Sequence, residues 1–347
     1  MSPFAYTEPI RLAQVGVGYW GRNLLRNAAA MPGAEVVAVC DTRGDALDAA
    51  QRLAPEARLT DDLALVLADR SVEAVIVATE TPTHAEIAAQ ALEAGKHVFV
   101  EKPLAQSADD AERLVALADE RDLRLMVGHL LRYHPAYRHV EGLVAGGALG
   151  RVRYLYSVRV NLGIVREREN AFESLAPHDL AVALALLPGR PVSVSATGHA
   201  YLQPGGPEDV VFGAVTFEGG EIAHLHCSWL DPHKVRRTTV VGSDQMAVVD
   251  DMAGAEPVRV YDKGVGAPLS ERDGTVPYAD HLAVRTGDVL LPRIERAEPL
   301  RLEVEEFAAA IRERRAPHTD GREGLAVVRL LEAARQSLSA GGTPVAV

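Results

Sequence analysis

Cysteine is scarce in this chain: Cys40 and Cys227 are the two in 347 residues, and both stand in apolar, strand-like stretches. That excludes a disulfide framework, and buried free thiols in a reducing cytoplasm are expected. Long apolar runs are missing as well. None reaches 18 residues, so no membrane-spanning helix is expected. The stretch Met1-Ser2-Pro3-Phe4-Ala5-Tyr6-Thr7-Glu8 lacks the basic and apolar regions of a secretory signal, which again points to the cytoplasm. Positive charge is not in excess. Thirty-six Lys and Arg against 48 Asp and Glu give a formal net charge of −12. This argues against nucleic acid and anionic membrane as partners, while a local basic pocket for an acidic substrate stays compatible with it. Internal repeats and low-complexity segments are absent from the sequence. What is present is an ordinary globular composition, 48% hydrophobic, in a chain longer than one core usually sustains, so two domains are expected.

Residues 10–128 alternate strand and helix signals. Strands are predicted at Ile10–Val15, Glu35–Cys40, Ala74–Ala78, His97–Val100 and Arg124–Val127. Helices are predicted at Arg22–Ala30, Arg43–Ala54, His84–Ala94 and Ala108–Glu120. In the last, Ala111, Leu114, Val115 and Ala118 recur at the spacing of one buried helix face. Such alternation implies an α/β fold, a doubly wound parallel sheet with helices on both faces. After Gly128 and a helix at Pro135–Ala145, strand signals dominate: Val152–Val160, Val192–Ala200, Val210–Phe217, Ile222–Trp229, Arg237–Gly242, Met246–Asp251 and Val258–Tyr261. Turns are expected at Gly205-Gly206, Gly219-Gly220 and 262–266, and two helices, Leu302–Arg314 and Gly321–Ser339, close the chain. The expectation is a domain 1–128 that binds a dinucleotide and an α+β domain 129–347 with an open, mostly antiparallel sheet for substrate and oligomer contacts.

The most informative stretch is Gly16-Val17-Gly18-Tyr19-Trp20-Gly21, between an apolar strand and a helix. In that context G-x-G-x-x-G cradles a dinucleotide pyrophosphate, because glycine lets the backbone turn tightly and approach the phosphates at a helix N-terminus. Asp41 stands at the end of the second predicted strand, directly after Cys40 and 20 positions beyond Gly21. An acidic residue there accepts from the adenosine ribose hydroxyls and repels a 2′-phosphate, which favours NAD over NADP. Thr42 follows it, and Arg43, two residues on, is the feature that favours NADP. Thr79-Glu80-Thr81-Pro82-Thr83-His84 leaves a buried strand at the edge that faces a ligand crevice, so Thr79, Thr81, Pro82 and His84 are candidate cofactor contacts; Thr83 as a helix cap is the alternative. Glu101-Lys102-Pro103 follows the strand His97–Val100, where an ammonium can hydrogen-bond a substrate hydroxyl and stabilise a developing alkoxide.

With these motifs, and with Glu93-Ala94-Gly95-Lys96-His97-Val98 ahead of Lys102, the chain resembles the Gfo/Idh/MocA oxidoreductases (glucose–fructose oxidoreductase / inositol dehydrogenase) over nearly its whole length. The resemblance implies that Lys102 is catalytic and contacts the nicotinamide ribose beside Glu101, that the peptide before Pro103 is often cis, that no metal is used, and that dimers or tetramers pack through the open sheet. A narrower resemblance, to the branch that oxidises nucleotide-linked sugars at C3, rests on Arg159-Val160-Asn161-Leu162-Gly163-Ile164-Val165-Arg166, Asn170 and Leu175-Ala176-Pro177-His178-Asp179-Leu180. It implies His178 as the catalytic base and Arg159, Asn161, Arg166, Asn170 and Ser174 around the substrate. The branch usually has Trp-Asp where this chain has Glu173-Ser174. Ser174 cannot carry the aspartate's charge, and Glu173 points about 100° further around a helix.

The implied reaction is oxidation of a sugar hydroxyl, with neutral His178 taking the proton and protonated Lys102 steadying the oxygen. Two other readings stand beside it: an NADPH-dependent ketosugar reductase of deoxysugar or natural-product biosynthesis, supported by Arg43, and a dinucleotide-sensing regulator without activity, permitted by Ser174. His224, His226, His233 and Cys227 are candidate zinc ligands, but no second spaced pair completes a site, so packing is favoured. His129, His134 and His139 flank the start of the second domain, and Arg132 and Tyr133 are placed on the nicotinamide side.

Overall fold

The structure, a computed structural model, describes residues 9–163, 165–265 and 284–347. The expected turn at 262–266 runs beyond the described residues at Gly266, and the motif residue Ile164 lies outside them too. The described chain forms two compact units, one of residues up to His134 with Ala297–Glu332, the other from Pro135–Arg296 with Ala333–Val347. The expected division into 1–128 and 129–347 differs from this, because the chain returns to the first unit near its end.

In the first unit six strands form a parallel sheet: β1 (Ile10–Val15), β2 (Ala34–Cys40), β3 (Arg58–Thr60), β4 (Ala74–Val77), β5 (His97–Val100) and β6 (Leu125–Val127), in the order β3-β2-β1-β4-β5-β6. Helices α1 (Tyr19–Ala30), α2 (Gly44–Leu53), α3 (Leu63–Leu67), α4 (Thr81–Glu93) and α5 (Ala108–Glu120) connect them. Side-chain alternation sends Leu12, Ile76, Phe99 and Met126 to one face, where they pack with Leu24 and Leu25 of α1. It sends Ala13, Val75, Val98 and Leu125 to the other, with Leu92 of α4 and Leu114 of α5. α8 (Pro299–Arg312) joins the first face through Leu300, Val304 and Phe307, and Phe307 meets Phe99 edge-on at 5.9 Å. That apolar stripe is what brings the late segment into the first unit. The doubly wound parallel sheet is therefore as expected. β3 and α3 are additions, each too short to show a period.

The second unit holds a nine-stranded sheet among the described residues. Its strands are β7 (Val152–Leu162), β8 (Pro191–His199), β9 (Val210–Phe217), β10 (Ile222–Ser228), β11 (Leu230–Gly242), β12 (Met246–Asp250) and β13 (Val258–Tyr261). After a small pair, β14 (Gly264–Val265) with β15 (Val284–Arg285), two edge strands complete it, β16 (Val289–Leu290) and β17 (Val345–Ala346). The order is β16-β13-β12-β11-β7-β10-β9-β8-β17; β7 and β10 are parallel and the other pairs antiparallel, so the mostly antiparallel second sheet stands. β11 starts earlier than expected, because its register shifts between Leu230 and Val235, around Pro232, and the sequence pattern breaks there. α6 (Pro135–Ala145) and α7 (Ala171–Leu186) belong to this unit, and α9 (Gly321–Ser339) contributes its last residues. α7 covers one face of the sheet centre, against β7, β9 and β10. The other face exposes Tyr154, Tyr156, Phe212 and Ile222.

Candidate active site

The last residues of the central strands of the first unit lie in register. Val15 pairs with Cys40 and with Val77, Val77 with Val100, and Val100 with Val127. The loops that follow leave one edge of the sheet, and they carry the residues picked out from sequence as cofactor contacts. The strand order turns back on itself at β1 and β4, the place where open parallel sheets bind ligands.

At that place the three glycines do different things. Gly16 has φ +93°, and a Cβ on it would come 2.5 Å from the carbonyl oxygen of Ala78. A Cβ on Gly21 would lie 2.4 Å from Gly16 O, so α1 can start this close to the turn only from glycine. Buried Gln14 ties the two together, its Nε2 donating to Gly16 O at 2.9 Å and Gly21 O at 2.7 Å. Gly18 faces open space, and as N-cap of α1 it has no side chain to cap the helix. A bare helix N-terminus beside an open glycine suits a pyrophosphate, so the residues present fit a dinucleotide. Tyr19 is fully exposed there and Trp20 partly so.

Asp41 is buried at the end of β2. Its Oδ2 accepts from Val17 N at 2.7 Å, its Oδ1 from Arg43 N at 2.9 Å, and Arg43 Nε lies 3.4 Å from the same oxygen. The carboxylate thus braces the glycine turn, while Thr42 and Arg43 are exposed beside it. The cap alternative for Thr83 is corrected. α4 begins earlier, at Thr81 with Glu80 as N-cap, because Pro82 is tolerated in a first turn. Thr83 Oγ1 instead bonds Thr79 Oγ1 at 2.8 Å and Glu80 O at 2.9 Å. His84 is buried between two carbonyls, Nδ1 2.9 Å from Pro103 O and Nε2 3.2 Å from Thr79 O. It buttresses both loops rather than facing a ligand, and burial holds its ring below the usual histidine range.

Lys102 is half-buried, and its peptide bond to Pro103 is cis. Glu101 is buried, accepting from Trp20 Nε1 at 2.5 Å and from Lys102 N at 3.1 Å. Arg132 and Tyr133, expected on the nicotinamide side, belong to a buried network of the same unit. Tyr133 OH bonds Thr319 Oγ1 at 2.8 Å, and Arg132 Nε and His129 Nδ1 reach Glu323 at 3.3 and 3.1 Å. That network needs the late return of the chain, which local sequence does not signal.

In the second unit α7 carries His178, half-buried directly after Pro177, with Ser174 one turn earlier on the same side. Two expected substrate ligands have other work. Arg159 is buried on β7 and makes a two-pronged ion pair with Asp179 of α7, Nε to Oδ2 at 2.5 Å and NH2 to Oδ1 at 3.2 Å. Ser157 Oγ donates to the same carboxylate at 2.7 Å and contacts Thr238 Oγ1, which meets Tyr137 OH. Arg159 is therefore a tie between sheet and helix, and its charge is consumed there. Asn170 is the N-cap of α7. Its Oδ1 accepts from Glu173 N at 2.9 Å, and the Glu173 carboxylate accepts from Asn170 N at 3.1 Å, a reciprocal capping box. The spacing Asn-x-x-Glu carries that signal in the sequence. Glu173 also binds Arg335 Nε at 2.8 Å, so it does not substitute for the aspartate that Ser174 replaces. Asn161 continues the covered face of β7, and a Cβ on Gly163 would come 3.0 Å from its Nδ2. Arg166 is exposed, paired with Glu169 at 2.9 Å. Surface pairs of this kind are weak, so Arg166 can exchange partners.

The family described as an oxidoreductase family with an NAD-binding Rossmann fold matches residues 10–129, and the GFO/IDH/MocA C-terminal domain matches residues 137–248. The chain belongs to the Gfo/Idh/MocA family. It is similar to the UDP-N-acetylglucosamine 3-dehydrogenase of Acidithiobacillus ferrooxidans, 29% identical over 94% of this chain and 96% of that protein. The solved structure of that enzyme superposes with TM-score 0.79 at 28% identity, covering 96% of this chain and 98% of the other. GenD2 from gentamicin A biosynthesis, solved with NAD, superposes with TM-score 0.80 at 26% identity, covering 98% and 97%. As a Gfo/Idh/MocA protein the chain is an NAD(P)-dependent oxidoreductase with a dinucleotide-binding Rossmann unit. No helix among its described residues is long and apolar enough to cross a membrane.

Proposed function

We propose that this Gfo/Idh/MocA enzyme works in the cytoplasm and oxidises a secondary hydroxyl of a sugar, at C3 of a nucleotide-linked sugar, with NAD as the hydride acceptor. The observation that carries the reading is Lys102 on the loop after β5, on the same sheet edge as the glycine turn after β1. Full-length similarity to a nucleotide-sugar 3-dehydrogenase supports the substrate class. His178 takes the hydroxyl proton, as a neutral imidazole can at neutral pH. Lys102 donates a hydrogen bond to the same oxygen and offsets its growing negative charge. A bound nicotinamide dinucleotide supplies the acceptor for the hydride that leaves the carbinol carbon. Ser174 contributes no charge, so Lys102 and His178 carry the acid–base work between them. NAD preference rests on buried Asp41, whose carboxylate disfavours a 2′-phosphate. Exposed Arg43 favours the second reading, an NADPH-dependent ketosugar reductase. The uncovered sheet face, with Tyr154, Tyr156, Phe212 and Ile222, supports a homodimer or homotetramer packed there.

The deciding measurement is absorbance at 340 nm with a panel of UDP- and dTDP-sugars and either NAD or NADP. Turnover with a UDP-sugar and NAD is the expected result. Reduction of a ketosugar with NADPH alone moves the assignment to the second reading. Tight NAD binding without turnover of any sugar overturns both and leaves a dinucleotide-sensing regulator. Lys102→Ala should lower kcat by about 10³-fold with NAD affinity little changed.

A further inference from the structure

Two carboxyl groups in the first unit are buried where the proposed chemistry does not use them. Glu303 of α8 is 0% exposed, and neither of its oxygens has a hydrogen-bond partner. Glu101 is clamped from three strand ends. Its Oε1 holds the Trp20 indole of the turn after β1, its Oε2 holds the peptide N–H of Lys102, and its carboxyl group lies 3.1 Å from where a Cβ on Gly128, after β6, would stand. Glycine at 128 is thus what leaves room for the carboxylate. Both N–H groups donate to it, an arrangement that an ionised carboxylate satisfies with both oxygens. A protonated one offers a hydroxyl oxygen to one of the two donors and loses most of that bond.

We propose that Glu101 is a positioning residue whose two oxygens tie the indole of the dinucleotide-binding turn to the backbone of Lys102, so that losing its charge loosens the turn and the lysine together. The inference rests on Lys102 acting in the reaction proposed above. Charges that reach Glu101 come from two elements, Lys102 on its own loop and Glu303 on α8; Trp20 and Gly128 bring none. His84 of α4 feels Lys102, and Tyr133 feels Glu303. Burial pushes Glu101 up to about 7, against the pull of Lys102 and the two hydrogen bonds. Burial, reinforced by Glu101, pushes Glu303 well above the usual range, so Glu303 stays neutral while Glu101 ionises. The buried pair of carboxyl groups thus carries one negative charge instead of two.

The test is tryptophan emission of the free enzyme as a function of pH, paired with the pH profile of kcat. The wild type should show an emission step with midpoint near 7, matched by the acid limb of kcat. That step should vanish in Trp20→Phe, which identifies the indole as its source, and in Glu101→Gln. Glu101→Gln should also lower kcat about tenfold and remove that acid limb, as loss of a charged hydrogen bond to the lysine backbone implies. Trp20→Phe leaves the Lys102 bond in place and should raise KM for the dinucleotide more than it lowers kcat, which keeps the link testable should Glu101→Gln fail to fold. An unchanged emission step in Glu101→Gln, or Trp20→Phe with wild-type KM and kcat, overturns the proposal. An active Lys102→Ala enzyme defeats the role given to the lysine instead, while the emission step still reports on the bond between Glu101 and Trp20.

Discussion

The first unit covers both faces of its sheet and holds two buried carboxyl groups, Glu101 directly after β5, held by N–H donors, and neutral Glu303 on α8. The second unit covers one face at its centre and pairs off the buried charge there, Arg159 with Asp179, under α7. The contrast separates two uses of a buried ion. A fully paired one fixes one element on another and is spent on that task. One held by neutral N–H donors beside a reactive side chain can still gain or lose its proton near neutrality, so it can respond to pH and ligand. An arginine near a candidate base is therefore not a phosphate ligand merely for being an arginine.

The sharpest way to break this contrast is to remove one member of the paired ion. Asp179→Asn leaves the Arg159 guanidinium buried without its countercharge and should cost about 3–5 kcal/mol, read as a fall in the urea midpoint. A loss below about 1 kcal/mol would show the pair to be an ordinary contact. Glu303→Gln comes next and acts the other way. The folded state holds the Glu303 proton well above 4.5, where the unfolded chain releases it. Folded protein then binds more protons than unfolded, so wild-type stability falls as pH rises above 4.5, by about 1.4 kcal/mol per pH unit until the folded group also ionises. The amide cannot titrate, and its advantage over wild type should grow from pH 5 to pH 7 in melting curves. Parallel wild-type and variant curves would place the titration elsewhere. Asn170→Ala is the smallest, about 1 kcal/mol from loss of the capping box, with both units otherwise intact. Calorimetry would resolve it as a small drop in Tm.

Local pattern made much of this readable. The strand Val210–Phe217 and the helix Ala108–Glu120 stand where the sequence puts them, because alternation and one-face spacing are complete over their length. The glycine turn is equally plain, since each of its constraints acts within a few residues. α7 escapes as an element because its apolar residues run all round it and Pro177 interrupts it. The placement of α8 escapes because its partners, Leu24 and Phe99, lie far earlier in the chain, on the first helix and the fifth strand. In the site, Lys102 and His178 come from motif, whereas the partnership of Arg159 with Asp179 and the isolation of Glu303 depend on burial created by distant segments. The same applies to Glu173, whose spacing after Asn170 announces a cap but whose bond to Arg335 nothing local announces.

The two thiols fall one to each unit. Cys40 ends β2 in the first and Cys227 lies on β10 in the second, both buried and free. Burial and the neighbouring Asp41 push Cys40 up to about 11, and burial pushes Cys227 well above the usual thiol range. Neither reacts readily while its strand stays shut, because the thiolate is the reactive form. Modification of each by a thiol reagent, followed by mass, times how often that unit opens, so the protein carries a separate built-in clock for each half of its fold.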